Sequence, residues 1–118
     1  MGTRAKNSRN LNRNRAAEDA HYSALVNAIK RGYLDEVQRL LGENERSQLL
    51  WDAVFYEQPD IVRVLMHAGI RYKGLISLSA SERNADCIKA LLECGYEPDE
   101  REVKILAKLG YPWAEVAA

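Results

Sequence analysis

Little in the sequence marks a secreted, membrane or metal-binding chain. It has only two cysteines, Cys87 and Cys94. On one helix, seven residues apart, they would lie roughly 10 Å from each other along the axis, too far for a disulfide. Reduced thiols in an intracellular protein are the expectation, cytoplasmic or, in a eukaryotic host, nuclear. No apolar run approaches the roughly 20 residues that span a bilayer, so no membrane association is expected. The charged N-terminus has no apolar segment behind it and reads as lacking a secretory leader.

Chemistry is sparse as well. The two histidines, His21 and His67, are distant, and neither has cysteine or carboxylate neighbours at zinc-binding spacing. There is no glycine-rich phosphate loop and no nucleophile elbow. The expectation is no metal, no cofactor and no enzymatic activity. Only a pocket joining Cys87, His67 and a carboxylate would change it.

The zero net charge hides an asymmetry. Residues 1–15 contain Arg4, Lys6, Arg9, Arg13 and Arg15 without an acid, whereas the remainder holds 12 bases against 17 acids. One large apolar residue, Leu11, cannot offset the entropy of ordering the first segment, so residues 1–15 are expected to be a disordered basic arm. It reads either as a nucleic-acid contact or targeting signal, or as a solubilising tail.

From Ala16 onward, 3.6-residue periodicity takes over. Tyr22, Leu25, Val26 and Ile29 form one stripe, and Gly32 permits a reversal. Asp35 opens a second helix with Val37, Leu40 and Leu41 inward and Gly42 as its stop. Ser47 is placed to cap a helix carrying Leu49, Leu50, Ala53 and Val54. Pro59 then starts a helix with Ile61, Val62, Leu65 and Met66, which Ala68-Gly69 ends. Leu75, Ile76, Leu78 and Ala80 precede a break at Glu82–Ala85. Ile88, Leu91 and Leu92 follow, closed by Cys94-Gly95. Pro98-Asp99 with Glu102 resembles a capping box for a helix with Val103, Ile105, Leu106 and Leu109. No run alternates as a strand would.

Aligning Asp35, Asp60 and Asp86 gives periods of 25 and 26 residues. The expected organisation is all-α: residues 16–118 as helical hairpins at about 22–42, 47–69 and 73–95, with a terminal half-unit at 99–118. Such hairpins bury their stripes by stacking.

The segments PDIVRVLMHAG and ADCIKALLECG, and more loosely YLDEVQRLLG, resemble the second helix of degenerate ankyrin repeats, over roughly residues 22–116. The resemblance implies a solenoid of helix-turn-helix units that binds another protein. A full repeat of that family runs about 33 residues and opens with threonine-proline. The shorter period and missing threonine-proline imply that the β-hairpin fingers are reduced or absent, which leaves the helical face as the binding surface.

On the first-helix flank, residues recur at fixed offsets from the aspartates. Nine before lie Val26, Trp51 and Ser77; five before, Lys30, Phe55 and Ser81; four before, Arg31, Tyr56 and Glu82. In the resembled family these offsets face solvent. Trp51 and Phe55, four apart, share a face, and exposed aromatics are the usual substance of interface hot spots. The alternative is that Trp51 or Tyr56 packs inward. Lys30, Arg31 and Glu82 would give the patch a charged rim, with Val26 beside it. Tyr33, Tyr111 and Trp113 are secondary candidates. The functional expectation is a small inhibitor or adaptor, monomeric or homodimeric, that holds another protein on this flank. The competing expectation is a nucleic-acid-associated protein using the basic arm.

Overall fold

The computed structural model describes the backbone of residues 2–111 and the side chains of residues 15–111. Seven helices run through it: α1 Gly2–Arg31, α2 Leu34–Leu40, α3 Gln48–Phe55, α4 Pro59–His67, α5 Leu75–Ser81, α6 Ala85–Glu93 and α7 Glu100–Lys108. No strand occurs among the described residues, and no helix is long and apolar enough to cross a membrane. Consecutive helices pair as α1–α2, α3–α4 and α5–α6. The first helices pack in the succession α1, α3, α5, α7, and the second helices as α2, α4, α6.

One turn recurs between the helices. The N–H of Gly32 donates to the Ile29 carbonyl (3.0 Å) and that of Tyr33 to Ala28 (2.9 Å). The same pair of bonds closes α3 through Glu57 and Gln58, α5 through Arg83 and Asn84, and α7 through Gly110 and Tyr111, and it also closes the second helices α4 and α6 through Gly69-Ile70 and Gly95-Tyr96. This is a Schellman closure, which requires a left-handed residue just past the helix. After the first helices, Gly32 (φ 71°), Glu57 (57°), Arg83 (55°) and Gly110 (84°) fill that position. Their spacings of 25, 26 and 27 residues carry the register on to α7, one unit beyond the aspartates. The residues whose carbonyls accept the bond from five residues on, Ala28, Ala53, Ser79 and Leu106, are all buried.

Asp35, Asp60 and Asp86 stand in the first turns of α2, α4 and α6, where the macrodipole favours a carboxylate. Pro59 opens α4, and Asn84 caps α6 by accepting from the Cys87 N–H at 3.1 Å. The capping box of Asp99 and Glu102 is formed at α7. Leu25, Ile29, Leu49, Leu50, Leu65, Leu91 and their neighbours make one continuous core, each such side chain stabilising the fold by roughly 1.5–3 kcal/mol on burial.

Several local expectations are corrected. In the segment expected to be a disordered basic arm, residues 1–15, the backbone from Gly2 onward is the start of α1. From Thr3 to Arg31 the chain has no proline or glycine, and extending a formed helix avoids the cost of nucleation. Ser47 occupies the N-cap position of α3 but makes no capping bond. Gly42 does not terminate α2; Leu41 does, in extended conformation (φ −61°, ψ 127°), while the Gly42 N–H is held by Glu45 at 2.8 Å. In α5 the fully buried outer-turn residue is Ser79, its hydroxyl satisfied by the Leu75 carbonyl at 2.8 Å, while Leu78 and Ala80 are half-buried. In α7 only Leu106 of the apolar stripe is buried, and Leu109 is exposed, because α5 is the main helix against which α7 packs.

Candidate functional site

The middle first helix, α3, carries the aromatic residues. Its inward positions Leu49, Leu50, Ala53 and Val54 are buried, which turns the Trp51–Phe55 row outward. The Trp51 and Phe55 rings stack, centroids 4.8 Å apart and 11° from parallel. Tyr56 meets Phe55 edge-on at 5.1 Å, and the Lys30 ammonium lies 5.4 Å from the Tyr56 ring centre. Aromatic pairs of this geometry add about 0.5–1.5 kcal/mol, and an exposed cation–π contact about 0.5–1 kcal/mol. Phe55 is 43% exposed. Trp51 and Tyr56 are half-buried, with one side packed on the core. The patch is therefore a wall braced by its own members, with Phe55 standing proud.

The other expected site residues divide. Lys30, Arg31 and Glu82 are exposed, whereas Val26 is half-buried against the core. Tyr33 is exposed at the α1–α2 turn, and Tyr111 is half-buried against the core. Arg15 is exposed on α1. The side chains of Arg4, Lys6, Arg9 and Arg13, and all of Trp113, lie outside the described residues.

Behind the patch sits a carboxylate that the sequence did not single out. Asp52 is 7% exposed and accepts the Tyr22 hydroxyl at 3.1 Å across the α1–α3 contact. Burial pushes its carboxyl above the ordinary range. The Tyr22 phenol is raised too, by burial first and then by Asp52. The Arg46 guanidinium covers the Tyr22 ring at 4.6 Å and pairs with Asp19 at 2.6 Å.

A second such pair lies at the far end. Glu102, 1% exposed, accepts the Tyr96 hydroxyl at 2.9 Å and the Ser77 N–H at 3.0 Å. The Leu75 N–H in turn donates to the Tyr96 oxygen at 3.1 Å. Helix α5 begins after Gly74, which offers no side chain, so Tyr96 and Glu102 serve its orphan N–H groups from another part of the chain. Only the capping role of Glu102 was legible beforehand; the tyrosine partners lie 30 and six residues from their acids, at no motif spacing.

Cys87 is buried, accepts from the Asn84 amide at 3.2 Å, and has its thiol pushed up to about 11 by burial, which disfavours the thiolate a nucleophile needs. His67 is exposed near the end of α4. Among the described residues, no group of three histidine, cysteine or acidic side chains is placed to hold a metal. No family model matches the chain, and neither does any curated protein or solved structure.

Proposed function

We propose that the chain is a stack of short ankyrin-like helical hairpins and works as a non-catalytic protein-binding module, an inhibitor or adaptor that acts by occlusion or tethering. The carrying observation is the exposed Trp51–Phe55 stack on the first-helix flank. A large apolar surface held rigid by its neighbours binds with little loss of side-chain entropy, which is how aromatic hot spots work. The pairing of helices in hairpins, and their succession as two rows, supports the stacked reading. The recurring Schellman turn supports it further.

The test is Phe55→Glu. Phe55 is exposed and packs on two ring neighbours only at the surface, so the helical circular-dichroism signal should be retained. Capture of a specific protein partner from the native host's lysate should be lost. Unchanged capture would remove the flank from consideration.

A further inference from the structure

The recurring turn permits a comparison of equivalent residues on all four first helices. On α1 the flank positions are Ser23, Val26, Lys30 and Arg31; on α3, Gln48, Trp51, Phe55 and Tyr56. On α5 they are Gly74, Ser77, Ser81 and Glu82; on α7, Arg101, Lys104, Lys108 and Leu109. The body that carries these rows is acidic, yet the rows hold five bases and one acid, Glu82. The bases sit at the two ends, with aromatics and serines between them.

Their pairing differs from that elsewhere. Arg39 pairs with Glu36, Arg63 with Asp60 and Glu93, Lys89 with Glu93, and Arg46 with Asp19. Lys30, Arg31, Arg101, Lys104 and Lys108 are exposed, and none forms an ion pair among the described residues. Arg15, Arg71, Lys73 and Arg83 also form no ion pair there but lie off these rows, on the early part of α1, in the loop after α4 and in the turn after α5. The second-helix bases Arg39, Arg63 and Lys89 are thus paired with second-helix acids, whereas the five flank bases meet no acid among the described residues.

Resting on the protein-binding reading above, we infer that the partner is an acidic, apolar-centred polypeptide segment lying across the first helices, its acids on Lys30/Arg31 and Arg101/Lys104/Lys108 and its apolar side chains on Trp51 and Phe55. Adjacent packed helices are about 8–10 Å apart, so four span roughly 25–30 Å. An extended strand rises about 3.3 Å per residue, so eight or nine residues bridge the flank. The apolar anchor belongs about a third of the way along, because α3 is the second of four helices. The stacked rings use one face of each on the other, which favours side chains laid against the wall over bases inserted into it.

The probe is a labelled nine-residue peptide with two acids at each end, two leucines at the third and fourth positions and serines elsewhere. Its anisotropy is titrated with the full chain. Controls are the same peptide with lysines for acids, one with serines for leucines, and a labelled oligothymidylate. Saturable binding should occur only with the acidic, leucine-bearing peptide. It should weaken about tenfold in Lys104→Glu/Lys108→Glu and in Phe55→Ser, and fall as salt rises and screens the charges. Binding through the N-terminal bases would survive the α7 changes and so overturn the inference. Equal binding of the lysine peptide, or no saturable binding of the acidic one, overturns it too. If Phe55→Ser abolishes binding and the α7 change does not, the flank stands and the acidic partner falls. If neither change matters, both fall. Oligothymidylate that binds through Lys104 and Lys108 and displaces the peptide would replace the inference with nucleic-acid binding.

Discussion

Two buried carboxylates join successive first helices through a tyrosine, and they do so differently. At the α1–α3 contact, Asp52 meets Tyr22 side chain to side chain, and burial raises its pKa. At the α5–α7 contact, Glu102 faces a tyrosine and the backbone N–H groups of Ser77 and Asp99, the latter at 3.3 Å. The first arrangement ties two side chains; the second completes the start of a helix that has glycine where a cap should be. A buried acid costs least where it answers donors that would otherwise be orphaned.

The sharpest way to break this comparison is Glu102→Ala. It leaves the Ser77 N–H and the Tyr96 hydroxyl without an acceptor, and urea unfolding should show a loss of roughly 2–4 kcal/mol. Tyr96→Phe keeps the ring in the core but deprives the Leu75 N–H of its acceptor, and should cost about 1–3 kcal/mol. It also tests the pH limb. The Tyr96 phenol is pushed up to about 12, chiefly by burial, so the folded state holds a proton that the unfolded state releases first. The associated stability is complete below about pH 10, the ordinary tyrosine value, and is lost as pH rises to about 12. Melting temperatures across that range should fall less steeply in Tyr96→Phe than in the parent.

At the other joint the effects are smaller. Tyr22→Phe should cost about 0.5–1.5 kcal/mol, the net worth of one partly buried hydrogen bond. Asp52→Asn should stabilise the protein at pH 7 by under about 1 kcal/mol, because a neutral amide still accepts from Tyr22 without the desolvated charge. The sign follows from the raised pKa: the parent's protonated form is favoured in the fold, so its contribution is present below the ordinary aspartate value and lost as pH rises through the raised one. The gain from Asp52→Asn should therefore vanish below about pH 4. A destabilised Asp52→Asn at neutral pH would mean that the charge itself holds the joint.

Much of the helical pattern was legible because it is local. The stripes of α3 and α4, the aspartate-headed second helices, the proline start of α4 and the capping box of α7 each depend on neighbours within one or two turns. The joints were hidden because a tyrosine and an acid 30 residues apart carry no signal until helices pack. The exposed Leu109 follows from the packing of α7, a tertiary circumstance that overrides local preference. At the candidate site, the i, i+4 spacing placed Trp51 and Phe55 together, but their stacking and the half-burial of Trp51 and Tyr56 depended on the neighbouring rings and core. The α7 lysines entered the rows only through the backbone turn, since their unit lacks the aligning aspartate.

That turn has a consequence for how far the sequence can drift. Glu57 and Arg83 hold left-handed backbone where Gly32 and Gly110 do so freely, at a cost on the order of 1 kcal/mol each. Glycine at both positions would release this reserve without altering a hydrogen bond. The chain thus possesses mutational slack at two turns, one of them directly after Tyr56, enough to absorb a moderately destabilising change on the flank and let the aromatic wall vary while the helices endure.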